Sequence, residues 1–245
     1  MQTLIQDGKY QVIKLLRQNA GFTSCLCINI ETSNHYQPLI VSTYESADSI
    51  RRYLPAFYAM RDSPCSDFID MSTAAHSISA VFTYHEGIQL PEYFARVDKD
   101  DFELRMHYAD KLFLEALILD ALDDCIAYAV LSPECVVVDK LAEKVHFNYI
   151  VPPLDGIPPD YKSQRTAEIL KTIFEKNRFV PDGVPDFINA LGGTMKTDDI
   201  VEIYAKWKHA ESGFLDEYEI LKKETLPAYF SRRIKTTVKR NFFKR

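Results

Sequence analysis

The chain of 245 residues is 47% apolar and 12% aromatic, enough to bury a sizeable core, which excludes an intrinsically disordered protein. Its formal charge of -6 conceals an asymmetry: residues 229–245 hold seven Lys/Arg and no acid, so residues 1–228 carry 22 basic against 35 acidic groups, a net of -13. An acidic body of that kind is repelled by phosphate, so nucleic acid is not an expected partner, and no apolar run reaches the ~18 residues of a bilayer span.

No charged-then-apolar leader opens the sequence, so no secretory leader is expected. Five cysteines, at 25, 27, 65, 125 and 135, form no even-numbered framework, and a reduced, cytoplasmic setting is expected. Cys25 and Cys27 share one strand face, but no second Cys or His pair completes a tetrahedral zinc site.

In chain order, β-rich segments at 9–16, 24–30 and 39–44 read as three strands, separated by a polar break at 17–23 and a turn at 31–36. Residues 46–60 read as a helix capped by Ser46 or Asp48, which Pro55 is expected to end or kink. Two further strands follow at 65–71 and 77–83. His85, in the connection Tyr84-His85-Glu86-Gly87, has no nucleophile or carboxylate beside it in a recognisable motif, and is expected to be a hinge or surface residue.

A short helix is expected from Leu90, and the spacing of Leu104, Tyr108, Leu112, Leu119 and Leu122 predicts one long buried helix over 102–124. Residues 131–150 read as two short strands joined by a tight turn. Pro152, Pro153, Pro158 and Pro159 stiffen the connector that follows. Helices are then expected at 161–177, at 184–191, at 197–209 with Thr197 as its cap, and at 211–224, with Trp207 in the core.

The segment at 131–150 and the elements before it resemble a protein kinase from which the charged groups have been removed. The phrase Gly8-Lys9-Tyr10-Gln11-Val12-Ile13 is similar to the start of a kinase N-lobe, but the three glycine positions of the phosphate-covering loop fall on Gln18, Ala20 and Thr23. Leu39-Ile40-Val41-Ser42 stands where kinases carry Val-Ala-Ile-Lys, so the phosphate-holding lysine is Ser42. The helix that should supply its glutamate partner shows Arg51 and Arg52 instead.

Tyr128-Ala129-Val130 falls on the His-Arg-Asp triplet, which replaces the catalytic base by Val130. Leu131, Pro133 and Glu134 keep the loop's shape, while Ser132 and Cys135 replace its lysine and its metal-binding asparagine. Asn148-Tyr149-Ile150 stands in for Asp-Phe-Gly. The resemblance therefore implies an α+β, bilobal kinase-like fold. It would have a five-stranded antiparallel N-lobe sheet with one helix over 1–86, and a shortened, mostly helical C-lobe over 87–228. It implies no catalysis, no cofactor and no metal.

The layout is similar to one subfamily, the pseudokinase subunit of bacterial type VII secretion systems, through Pro158-Pro159-Asp160-Tyr161, Asp198-Asp199-Ile200 and the basic end. On that resemblance Arg232, Arg233, Lys235, Lys239, Arg240, Lys244 and Arg245 are expected to lie against the inner face of the cell membrane. The implied partners are other protein subunits, a second copy of the chain among them, and an anionic membrane surface. Two alternatives stay open: an atypical nucleotide-dependent transferase using Glu134, His146 or Asn148, and a soluble signalling adaptor.

Overall fold

In the computed structural model, which describes residues 4–5, 8–31, 37–97, 101–175 and 179–223, the amino-terminal half builds an antiparallel sheet with one helix laid across it. The strands are β1 (Leu4–Ile5), β2 (Tyr10–Asn19), β3 (Phe22–Asn29), β4 (Pro38–Tyr44), β5 (Phe68–Ala74) and β6 (Ser77–Thr83), in the spatial order β1-β2-β3-β4-β6-β5. The five long strands match the expected sheet, and the two-residue β1 is added at its edge.

The polar break expected at 17–23 is mostly strand. Arg17, Gln18 and Asn19 pair with Ser24, Thr23 and Phe22, leaving a two-residue turn at Ala20 and Gly21. Gly21 has φ +72°, a conformation open to glycine at little cost, and this lets the hairpin close so tightly. Polarity misled here because these side chains sit on the exposed end of a hairpin, where a strand needs no apolar face.

Alternation along β4 divides the sheet into two faces. Ile40 and Tyr44, with Phe22, Ala80 and Phe82, meet helix α1 (Ala47–Met60) through Tyr53, Ala56, Phe57 and Met60. On the other face Tyr10, Cys25, Cys27, Leu39, Val41 and Val81 form a second small core. The sheet curls around it far enough for Lys9, at the entry to β2, to come within 3.9 Å of Asp70 on the distant strand β5.

Ser46 caps α1, its Oγ accepting from Ser49 N at 3.1 Å. Of the two expected effects of Pro55, ending the helix does not occur, and α1 runs on to Met60. Pro55 lies on the exposed side, so water can satisfy the carbonyl whose hydrogen bond it removes.

The second lobe opens with β7 (Ile88–Gln89) and α2 (Leu90–Arg96). The single helix expected over 102–124 is three elements: α3 (Phe102–Ala116), a 3-10 turn (Leu117–Ala121), and α4 (Asp124–Val130), capped by Asp123. Strand β8 (Val136–Asp139) pairs with β7 on one side and with β9 (Lys144–Phe147) on the other in a small antiparallel sheet. Helices α5 (Tyr161–Phe174), α6 (Gly183–Gly193) and α7 (Ile200–Lys223) complete the described lobe, and Trp207 is fully buried among them.

The two helices expected at 197–209 and 211–224 are one helix of 24 residues, and Thr197 stands outside it. Its amino terminus is held by Asp120 of the 3-10 turn, whose carboxylate accepts from Ile200 N at 2.9 Å and Val201 N at 3.2 Å. The same carboxylate pairs with the buried Lys162 of α5 at 2.8 Å. One acid thus ties three elements, and the break in α3 is what points it at α7.

Replacing Asp120→Ala leaves Lys162 buried without its charge partner and α7 without this cap, a cost of about 3 kcal/mol. Lys162→Met keeps the cap and removes a buried charge, so urea denaturation is expected to rank it clearly less damaging than Asp120→Ala.

Candidate functional site: the cleft between the lobes

The cleft is framed by the inner face of the sheet, helix α1, the 84–87 connection and the β8–β9 hairpin. Ser42 sits on the inner face between Ile40 and Tyr44, fully buried, and its Oγ donates to Ser24 Oγ at 3.0 Å. Around it runs a chain of aromatic rings: Phe22 to Tyr44 at 5.1 Å, Tyr44 to Tyr53 at 4.9 Å, and Phe57 to Phe82 at 6.1 Å. Tyr149 ends the chain, stacked on Phe82 at 5.1 Å and 5°. Arg51 and Arg52 are on the exposed side of α1, away from Ser42.

The hairpin loop carries the same chemistry. Val130 and Leu131 are buried, and Ser132 Oγ donates to Glu134 Oε2 at 2.7 Å. Burial pushes the Cys135 thiol up to about 11, so it is protonated at neutral pH, and its Sγ meets the Ala129 carbonyl at 3.6 Å. Ser42, Val130, Ser132 and Cys135 are therefore all uncharged.

Asn148 is buried, and both halves of its amide are committed to one residue of the connection. Its Oδ1 accepts from His85 N at 2.8 Å and its Nδ2 donates to His85 O at 3.1 Å. The chain beyond it is fastened to the amino-terminal lobe by three donors. Tyr44 Oη bonds Val151 O at 2.5 Å, Tyr53 Oη bonds Pro152 O at 3.0 Å, and Arg52 Nη1 bonds Leu154 O at 2.6 Å. Burial raises the Tyr44 phenol well above its ordinary range and that of Tyr53 to about 12, so both remain donors across the physiological range.

Two histidines, unrelated in the sequence, meet at the same junction. The rings of His85 and His146 stack at 4.1 Å and 6°. His85 Nε2 is 2.8 Å from Asp67 and His146 Nδ1 is 3.6 Å from Glu115. His85, expected as a hinge or surface residue, lies in the 84–87 connection with the Asp67 carboxylate against its ring. Glu134 is turned to Ser132, while His146 and Asn148 both meet His85.

Gly87 completes the junction: a Cβ on it would stand 2.8 Å from the Val138 carbonyl oxygen. Among the described residues no group of three or more His, Cys, Asp or Glu is arranged to hold a metal, and no helix is long and apolar enough to cross a membrane. Arg232, Arg233, Lys235, Lys239, Arg240, Lys244 and Arg245 lie outside the described residues.

Sequence reasoning missed Tyr44, Tyr53 and the histidine pair as junction residues. Tyr53 and Phe57 lie four apart on one helix face, which a helical reading can find. Nothing local marks the bonds that Tyr44 and Tyr53 make about a hundred residues away.

No family model matches the chain, and no curated protein matches it. Solved structures do match. The kinase domain of Mycobacterium tuberculosis PknI, in a doubly substituted form, aligns with a TM-score of 0.58 at 12% identity, covering 82% of this chain and 95% of that one. A singly substituted form of the same domain aligns with a TM-score of 0.54 at 11% identity, over the same shares of the two chains. The chain has the protein kinase fold.

Asn148 is the residue that the sequence resemblance sets at the aspartate of the Asp-Phe-Gly turn. Asn148→Asp removes the donor that His85 O requires and buries a carboxylate in its place, so urea denaturation is expected to show a loss of about 2 kcal/mol.

Proposed function

We propose that this kinase-fold domain carries out no phosphoryl transfer and serves as a protein-interaction scaffold in a bacterial assembly at the inner face of the cell membrane. The observation that carries the reading is Asn148: both halves of its amide are spent on His85, at the position where phosphoryl transfer needs a carboxylate for magnesium. Ser42, closed off with Ser24 beneath the aromatic chain, supports it from the opposite wall. Loss of one transition-state contact costs roughly 100-fold to 1000-fold, and here the lysine, base, asparagine and aspartate positions have all changed.

The type VII secretion setting has its own support. The two short matches to that subfamily touch one another: Asp160 N, beside Pro158 and Pro159, donates to Asp198 Oδ2 at 3.1 Å. Asp160 adopts a left-handed conformation, φ +58°, at the start of α5, so the pair of motifs shapes one corner of the lobe. The basic residues from Arg232 to Arg245 fit an anionic membrane surface, each contributing about 1 kcal/mol.

Titration with Mg-ATP, followed by thermal unfolding, tests the first part. A ligand at a hundred times its dissociation constant stabilises its protein by about 2.7 kcal/mol, so millimolar Mg-ATP is expected to leave the midpoint within about 1 °C, and a clear rise overturns the reading. Flotation with vesicles containing anionic lipid tests the second part. The full chain is expected to float, and deletion of residues 224–245 to abolish flotation without changing the melting midpoint.

A further inference from the structure

Two lobes of one chain move relative to each other by default, unless the surface they share is large and apolar. Here one buried core runs from Phe22, Tyr44 and Phe82 of the first lobe, through Tyr149 and Val151, to Leu112 and Trp207 of the second. Swinging the lobes apart would unstack Tyr149 from Phe82 and bring water onto Tyr44 and Tyr53, which are at most 1% exposed.

Polar bonds close the same seam. Residues 151–154 cross to helix α1 as a strap that belongs to no helix or strand, so it has no ladder of its own to satisfy its carbonyls. The other lobe satisfies them: Tyr44 donates to Val151 O, Tyr53 to Pro152 O and Arg52 to Leu154 O. Both tyrosines are buried, which keeps water from competing for their bonds while the cleft is shut.

A second fastening lies at the 84–87 connection. Asn148 holds both backbone groups of His85, whose ring stacks on His146, and Gly87 packs against the Val138 carbonyl. A hinge needs a segment free to absorb changes in φ and ψ, and the segment that would serve is pinned by these contacts.

We propose that the 151–154 strap latches the two lobes into one cooperative unit, so that the cleft stays shut in the native protein and the lobes separate only on global unfolding. The latch does not depend on the scaffold reading, since a cleft without catalysis could equally be hinged. A scaffold would gain from it surfaces of both lobes held at one fixed orientation.

The native cysteines, all buried, report on it. Two lie at the seam: Cys125 is on α4, which packs on α1, and the Cys135 carbonyl accepts from Asn148 N at 2.8 Å. Cys25 and Cys27 lie away from it, in the small core on the outer face of the sheet. Labelling of the full chain by a thiol reagent in increasing urea, read residue by residue by mass spectrometry, tests the latch. In the wild type Cys125 and Cys135 are expected to label with the steep urea dependence of global unfolding, followed in parallel by the fluorescence of Trp207, the single tryptophan. Tyr44→Phe/Tyr53→Phe keeps both rings and removes two strap bonds. In that variant Cys125 and Cys135 are expected to label at least about tenfold faster in low urea, by a route of shallow urea dependence, while Cys25 and Cys27 keep the steep one. Arg52→Met, which removes only the exposed strap bond, is expected to act in the same direction by about threefold, and serves if the double variant does not fold. Fast, shallow labelling of Cys125 and Cys135 in the wild type, or variants that leave them unchanged or speed all four thiols equally, overturns the proposal.

Discussion

The two lobes meet through a carboxamide, and much of the molecule is arranged so that this carboxamide can be neutral. Asn148 both donates to and accepts from the backbone of His85, so two main-chain polar groups buried at the junction are satisfied by one side chain. A carboxylate at this place could only accept. It would need a cation to offset the cost of desolvating its charge, and Cys135, whose carbonyl accepts from Asn148 N at 2.8 Å, supplies none. Once the position is an amide, the walls around it are free to be apolar. The ring chain from Phe22 to Tyr149 is the result.

That packing fixes the geometry of everything downstream. With Tyr149 stacked on Phe82, the chain leaves the junction along α1, within reach of the hydroxyls of Tyr44 and Tyr53. Each of those bonds contributes about 1 kcal/mol net, and each satisfies a carbonyl next to a proline-rich stretch that has no secondary structure of its own to bond it. The stiff connector is thereby delivered to Asp160 at the start of α5. In the second lobe Asp120 does comparable work from a break in a helix, since α5, α7 and the 3-10 turn all bond to one carboxylate.

Both arrangements place polar groups in the interior against hydrogen-bonding partners, so that a buried polar group helps fix a unique structure. Surface interactions are left to carry whatever the molecule recognises.

Much of this was legible from residues alone. Strand β6 falls on the residues read for it and the β8–β9 hairpin lies within 131–150, because alternation and short motifs are local signals. The extent of α7 and the break in α3 were not legible, since residue spacing cannot show that Asp120 is drawn out of its helix to cap another 80 residues away. Nor could it show that Pro55 lies on the solvent side of α1, or that His85 and His146 stack. The sequence by itself determined the fold and the uncharged side chains at Ser42, Val130, Ser132, Cys135 and Asn148. Only the tertiary structure decided what fills the cleft, because filling is a matter of which rings and amides come into contact across the chain, and that depends on packing in three dimensions.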